Sequence, residues 1–530
     1  MKSSLFLAST AAFTLALALL YARDAPLRAG FGLDAYHHLA GVRELMKGEF
    51  PPRHDLVAGY APQGHYGPYL VGVSWMARVL GLSPLHALYA AGVANLVLFL
   101  LALHAVTARL VGPLAARFTA LVAVLFWGPW PRAGMAWAAW GWPGTTSVAD
   151  PQNFFYPHQA GLVLLLAALL MVLPGPFIGL GARSRYTGAV VLGALLIASH
   201  ALTGLAFALA VGALAATGVL TRCIARPASP RRTAALVLLP LLALALACLW
   251  PYYPVAGLLK AFALPALRAP LVAPAVGGGA AAAGVAAAAA TAVPPLPVLD
   301  TLGPALAGLP FAAALAWRGQ PFLLLWAGTS LLLGVVPIVP LHQRFLFYSA
   351  LPLQIAAAGL LQAAFARRGW ARAGGMALLL ASALSAGLRV HVLLGRERPD
   401  LSFIERLTPP DAVVLTDPRT GNGVAGLTGR KVVLPENPDL FLLMTGDGGR
   451  RIRDVRLFFE PSTPPEKRAA IVLRWGASYV LVDRLSRPDM KALPWPILYE
   501  GGGYVLYATG SGPFAARNTQ RARPNFTSSP

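Results

Sequence analysis

Leu85–Ala108 reads LHALYAAGVANLVLFLLALHAVTA, and Arg109 follows it at once. The run contains no Asp, Glu, Lys or Arg. A helix rises about 1.5 Å per residue, so about 20 apolar residues cross the ~30 Å hydrocarbon core of a bilayer. In lipid a lone segment of this kind satisfies its backbone groups as a helix, so the run reads as a membrane span. Ala234–Trp250 with its flanks and Gly374–Leu394 read the same way. The whole chain agrees: 57% of its 530 residues are hydrophobic and 12% are charged, whereas a soluble domain carries about a quarter charged residues.

Working outward, apolar runs predict eleven spans, at 5–21, 84–108, 114–128, 158–174, 187–199, 203–221, 233–252, 301–317, 321–340, 345–366 and 373–394. Lys2 ahead of the first run is also the layout of a signal peptide. The expected fold class is a polytopic α-helical membrane protein with a C-terminal soluble α/β domain. Residues 1–396 form the membrane module, with long loops at 22–83, 129–157 and 253–300. Residues 397–510 form the α/β domain. There Asp411–Thr416 and Ala477–Asp483 read as strands, Pro464–Arg474 as a helix, and Ile497–Ala508 as a hairpin around three glycines. Residues 511–530 read as a disordered basic tail.

The net charge is +22 and it is unevenly spread. Residues 1–396 hold 25 Lys and Arg against 7 Asp and Glu, and residues 397–530 hold 18 against 14. A membrane module that is basic because it lacks acids points to anionic lipid and phosphate as partners, and away from nucleic acid. With eleven spans, the short loops bearing Arg109/Arg117, Arg183/Arg185, Arg222/Arg226/Arg231/Arg232, Arg318 and Arg367/Arg368/Arg372 fall on one side. The positive-inside rule makes that side cytoplasmic and places the C-terminal domain outside the cell membrane. Asp24, Asp34, Glu44, Glu49, Asp55, Asp150 and Asp300, all the acids before residue 397, then lie on the outer side. Cys223 and Cys248 lie in or beside apolar segments and make no disulfide framework. GxxxxGK[ST], HExxH and GxSxG are absent, which removes ATP-driven transport and zinc proteolysis by those routes.

The first long loop opens with GLDAYHHLAGVREL, Gly32–Leu45. Asp34, His37 and His38 stand at i, i+3 and i+4 and share one helix face. Asp34 sits at the helix start, where the dipole favours its charge. A carboxylate with two imidazoles beside it has the composition of an acid–base or substrate-binding site. Tyr66 is a further substrate-binding candidate on that loop. The second loop carries Trp130, Trp137, Trp140 and Trp142, and ends in TTSVADPQNFFYPH, Thr145–His158. Asp150 and His158, with Asp34, are a donor set suited to a divalent metal such as Mn, Mg or Zn. Leu341–Tyr348, LHQRFLFY, opens a late span. Arg344 there can hold a phosphate with two parallel hydrogen bonds. His200, between two short spans, is one more candidate for substrate contact.

In Asp34–Pro52, Asp150–His158 and Gln343–Tyr348 the chain resembles the C-type (GT-C) glycosyltransferase superfamily. The architecture resembles it too: a short first span, a long first loop with an early Asp, an acid before a later span, and a terminal α/β domain. The resemblance implies a bacterial inner-membrane enzyme with a polyprenyl-phosphate-linked sugar as donor and a glycan, lipid or protein as acceptor. It implies inverting transfer with Asp34 as general base, a metal-binding role for Asp150, and Arg344 at the lipid phosphate. The first loop departs from the superfamily's paired acids, since Ala35 follows Asp34. That departure keeps a GT-C-like scaffold subunit without catalysis as an alternative; a flippase or transporter of lipid-linked sugar is the other, against which stand the lack of an internal repeat and the outer clustering of the polar groups.

Overall fold

The computed structural model describes residues 4–28, 34–49, 52–58, 66–126, 154–173, 179–224, 230–252, 255–256, 302–336, 345–436 and 446–510. Its helices run α1 (Ser4–Ala22), α2 (Asp34–Met46), α3 (Pro68–Leu80), α4 (Pro84–Leu110), α5 (Pro113–Ala116), α6 (Thr119–Leu125), α7 (Pro157–Val172), α8 (Ala182–Ser199), α9 (Ala201–Ile224) and α10 (Pro230–Ala247). Then come α11 (Leu309–Trp317), α12 (Phe322–Val335), α13 (Phe345–Ala366), α14 (Trp370–Leu394), α15 (Ser402–Leu407), α16 (Pro418–Gly423), α17 (Gly446–Phe458) and α18 (Pro465–Arg474). Five strands lie near the end: β1 (Val413–Thr416), β2 (Lys431–Val432), β3 (Tyr479–Asp483), β4 (Ile497–Gly501) and β5 (Tyr504–Ala508).

The chain divides into two compact units. The first comprises Met1–Pro26, Gly67–Gly72 and His86–Arg396. Among the described residues six helices are long and apolar enough to cross a membrane: α1, α4, α9, α10, α13 and α14. Pro157–Val172, Gly303–Trp317 and Phe322–Val335 are shorter apolar helices. The expected span at 114–128 is broken. Helix α5 ends at Arg117, the Phe118 amide bonds to the Ala115 carbonyl at 3.0 Å, and α6 restarts at Thr119. A tight i→i+3 bond of this kind closes one turn and starts another.

Close approach within this unit depends on glycine. A Cβ on Gly308 would lie 2.0 Å from the Leu353 carbonyl oxygen of α13. One on Gly359 would lie 2.3 Å from the Phe311 ring. Two buried amides reach backbone: Gln354 donates to the Phe126 carbonyl at 3.1 Å, and Asn95 to the Phe154 carbonyl at 2.9 Å. This is what a low-dielectric interior requires of them.

The second unit comprises Leu27–Tyr66, Val73–Leu85 and Glu397–Pro530, so it contains α2 together with the α/β sheet. The strand order is β2-β1-β3-β5-β4, with β1 parallel to β2 and β3, and β5 antiparallel to β3 and β4. Strand alternation sends side chains to two apolar layers. Leu415, Val480, Val482, Val505 and Tyr507 pack with Phe458, Ile471 and Val472 of α17 and α18. Val414, Tyr479, Leu481 and Leu506 pack with Phe403, Ile404 and Val424 on the other face. The strands at 413–416 and 479–483, the helix at 465–474 and the 497–508 hairpin match the sequence reading. Helix α17, rich in Gly and Arg, and the two-residue β2 carry too little apolar periodicity to be read in advance.

Candidate functional site

The second unit presents α2 N-terminus first. Asp34 is its first residue and is half-buried. Its carboxylate meets the partial positive charge of the helix start. One turn on, the His37 and His38 rings stack with centroids 6.1 Å apart at 22°. His37 is buried, and its Nε2 lies 2.8 Å from Oδ2 of Asp55, whose side chain is 2% exposed. The other Asp55 oxygen accepts the Leu56 amide at 3.1 Å. His54 Nδ1 accepts the amides of Leu56 and Val57, each at 3.1 Å, so its proton sits on Nε2. The 3.2 Å approach of His54 Nδ1 to Asp55 is therefore a meeting of two acceptors, and the ion pair of Asp55 is with His37. Tyr66 is buried, with its hydroxyl donating to the Arg53 carbonyl.

The C-terminal sheet holds the far end of α2. Lys431 on β2 donates to Glu44 Oε2 at 2.8 Å, to the Asp55 carbonyl at 2.9 Å and to the His54 carbonyl. Glu44 is 2% exposed and also takes Lys47 at 2.7 Å. Burial holds the Lys431 ammonium below the ordinary lysine value, with Glu44 pulling the other way. The Val432 amide bonds to the Leu56 carbonyl at 2.8 Å, so residues near 57 run parallel beside the sheet edge. Arg451 stacks over Trp475 at 4.3 Å and donates to the Ala58 carbonyl at 3.0 Å. Sequence reasoning singled out Asp34 and His37 but missed Asp55, Glu44 and Lys431. No local spacing links Glu44 to a lysine 387 positions away.

The first unit gathers a second polar cluster. The His158 and His200 rings lie 5.8 Å apart, and Tyr156 meets His158 edge-on at 5.6 Å. His200 Nδ1 lies 2.8 Å from Thr203 Oγ1, which lies 2.8 Å from the Tyr348 hydroxyl. Thr203 is fully buried. Helix α7 supplies His158, the α8–α9 junction His200, and the first turn of α13 Tyr348. Polar groups converging among apolar helices mark a functional locus. Thr203 and Tyr348 were not foreseen; a lone hydroxyl in an apolar run carries no signal until its partners are known. Arg344, four positions before Tyr348, lies outside the described residues, as do Asp150, the loop tryptophans, residues 257–300 and the 511–530 tail.

The metal expectation can be tested only in part. Among the described residues no three His, Cys, Asp or Glu side chains are grouped to hold a metal ion. Of the expected donors, Asp34 and His158 belong to different units and Asp150 is outside the described residues. The described donor set does not fit a metal.

No protein-family model and no curated protein matches the sequence. Solved structures do. ArnT from Cupriavidus metallidurans bound to undecaprenyl phosphate is similar with a TM-score of 0.55 and 12% identity, over 94% of this chain and 98% of that one. The Archaeoglobus fulgidus oligosaccharyltransferase tethered to an acceptor peptide is similar with a TM-score of 0.52 and 14% identity, over 89% and 69%. A further structure of that protein is a complex with Zn and sulfate. The arabinofuranosyltransferase AftD from Mycobacteria is similar with a TM-score of 0.54 and 16% identity, over 95% of this chain and 40% of that one. All three are GT-C glycosyltransferases, and this chain has the GT-C fold with a small C-terminal sheet domain.

Proposed function

We propose that this chain is an integral membrane glycosyltransferase that moves a sugar from a polyprenyl-phosphate carrier to an acceptor hydroxyl on the outer face of a bacterial inner membrane. The observation that carries the reading is Asp34 at the half-buried start of α2, where the other acids described in the first loop are occupied. Glu44 is bound to two lysines, Asp55 to His37 and Glu49 to Arg53, and Asp24 accepts from the Tyr89 hydroxyl. Among the described residues no partner is found for the Asp34 carboxylate. In an acid-poor loop that leaves Asp34 as the carboxylate able to take a proton.

The reaction is one displacement. Asp34 accepts the acceptor hydroxyl proton as the oxygen attacks the anomeric carbon. The bond to phosphate breaks on the opposite face, so configuration inverts. Charge grows on the departing phosphate, and Arg344, with the His158, His200 and Tyr348 cluster four residues beyond it, supplies donors for it. Similar structures holding undecaprenyl phosphate and an acceptor peptide support a lipid-linked donor and a separate acceptor. The Zn and sulfate complex of the oligosaccharyltransferase keeps a metal in view for this chain. Since the described donor set does not fit one, no step is routed through it.

Asp34→Asn keeps the size and polarity of the native side chain and removes the base. Turnover measured as polyprenyl phosphate released from a panel of lipid-linked sugars is expected to fall by roughly 10²–10⁴-fold with little change in donor binding. A variant as active as wild type would remove Asp34 from the chemistry. A wild type that binds the donor but releases nothing with any acceptor fraction would favour the scaffold reading.

A further inference from the structure

The polar cluster at Tyr348 lies at the start of α13, a helix of 22 residues and so about 33 Å long. Its far end, which the transfer reading does not use, borders an apolar cleft of about 390 Å³. Leu361 and Ala364 of α13 line one wall, Gly374, Gly375 and Leu378 of α14 the other, and Arg367 stands among the lining residues. The cleft stays open at Gly374, where a Cβ would meet no atom within 4 Å and a larger side chain has room to enter it. Gly375 lets the two helices approach beside it, since a Cβ there would meet Ala364 and Phe365 at 3.3 Å.

Charge surrounds this cleft on one side only. The turn between α13 and α14 reads RRGWAR, Arg367–Arg372, with three arginines and no acid. Trp370 within it is 93% exposed, as an aromatic at the lipid–water boundary is. Helix α5 packs against α13 at the same end. Phe118, just after it, stacks on Phe365 with centroids 5.4 Å apart. The residue before Phe118 is Arg117, whose buried Nε has no hydrogen-bond partner among the described residues. The segment Gly112–Phe118 has no acid either. A buried guanidinium nitrogen without a partner is a place for an acceptor such as a phosphate oxygen.

We propose that this end of the membrane unit is a binding site for one anionic diacyl phospholipid. An acyl chain lies in the Leu361–Leu378 cleft, and the phosphodiester is held by Arg367 with Arg117, Arg368 and Arg372 around it. Apolar groove and basic rim are the two halves of such a ligand, and neither half alone accounts for the other. The site lies one membrane thickness from the Tyr348 cluster and does not rest on the transfer reading.

The full chain would be purified in detergent, exposed to equal amounts of a phosphatidylglycerol and a phosphatidylcholine with identical acyl chains, and weighed by native mass spectrometry. Retained phosphatidylglycerol is expected to exceed phosphatidylcholine by about fivefold or more per chain. Gly374→Leu, which fills the cleft, and Arg367→Gln are each expected to bring retention of the two lipids level, while Arg318→Gln in another basic turn changes nothing. Equal retention by wild type, or unaltered selectivity in both variants, overturns the site. Full displacement of phosphatidylglycerol by excess inorganic phosphate also overturns it, since the chain in the cleft would then contribute nothing. If Gly374→Leu does not run as a monodisperse species, Arg367→Gln and Arg368→Gln decide.

Discussion

At the scale of single residues, the first loop divides its acids between structure and chemistry. Asp55 and His37 form a buried pair, Nε2 2.8 Å from Oδ2. Removing one side of a buried pair costs about 3–5 kcal/mol in such sites. His37→Ala and Asp55→Ala are each expected to destabilise the second unit by that order, and the double variant by much less than the sum. A double-mutant cycle of urea unfolding reads the coupling; additive losses would mean the pair is incidental. Glu436 offers a separate test. Burial raises its carboxyl pKa, with Asp417 adding to the shift and Arg419 opposing it. A group with a raised folded pKa binds protons more tightly in the folded state, so its favourable contribution is present at low pH and lost as pH rises through the folded value. Glu436→Gln is therefore expected to raise the melting temperature at pH 7 by roughly 1–3 °C and to leave it unchanged near pH 4, scaled down because the side chain is half in water. Calorimetry at the two pH values decides it.

At the scale of elements, α2 is held at both ends by different means. Its start carries Asp34 and His37; its end is held by Lys431, which reaches three acceptors from β2. Gly426 allows the approach, since a Cβ there would lie 2.5 Å from the Tyr36 carbonyl oxygen. Lys431→Met keeps the stem but takes its charge from buried Glu44 and its donors from two carbonyls. The expected cost is about 2–4 kcal/mol, seen as faster proteolysis near residues 52–58 while α17 and α18 stay protected. Uniform protection across both segments would show that α2 docks without the lysine. The elements of the sheet domain were mostly legible, because β-branched runs, a proline-started helix and a glycine hairpin are local signals. Residues 114–128 were not, because apolar content alone does not say where a helix tightens and restarts.

At the scale of the whole molecule, proton transfer and donor holding are separate demands of the proposed reaction and should fail differently. Thr203 bridges His200 and Tyr348 inside the membrane unit. Thr203→Val removes the hydroxyl that lies between the half-buried His200 ring and the buried Tyr348 phenol, a change worth about 1–3 kcal/mol. The expectation is a KM for the lipid-linked donor raised by about tenfold or more with kcat little changed. For Asp34→Asn the split is reversed. Equal effects on both constants from both variants would refute a division of labour between donor holding and proton transfer.

The amino-acid sequence by itself determined that this chain lives in a membrane, that the acids of its membrane module lie between the spans, and that it ends in a small α/β domain. Those properties follow from period, length and charge, which are written locally and add along the chain. Only the tertiary structure decided which acids remain available. Asp34, Glu44 and Asp55 look alike in sequence, and a lysine on a distant strand and a histidine 18 positions earlier separate them. The same holds for Thr203 and Tyr348, 145 positions apart. A buried polar group is defined by its partner, and the partner is chosen by the fold.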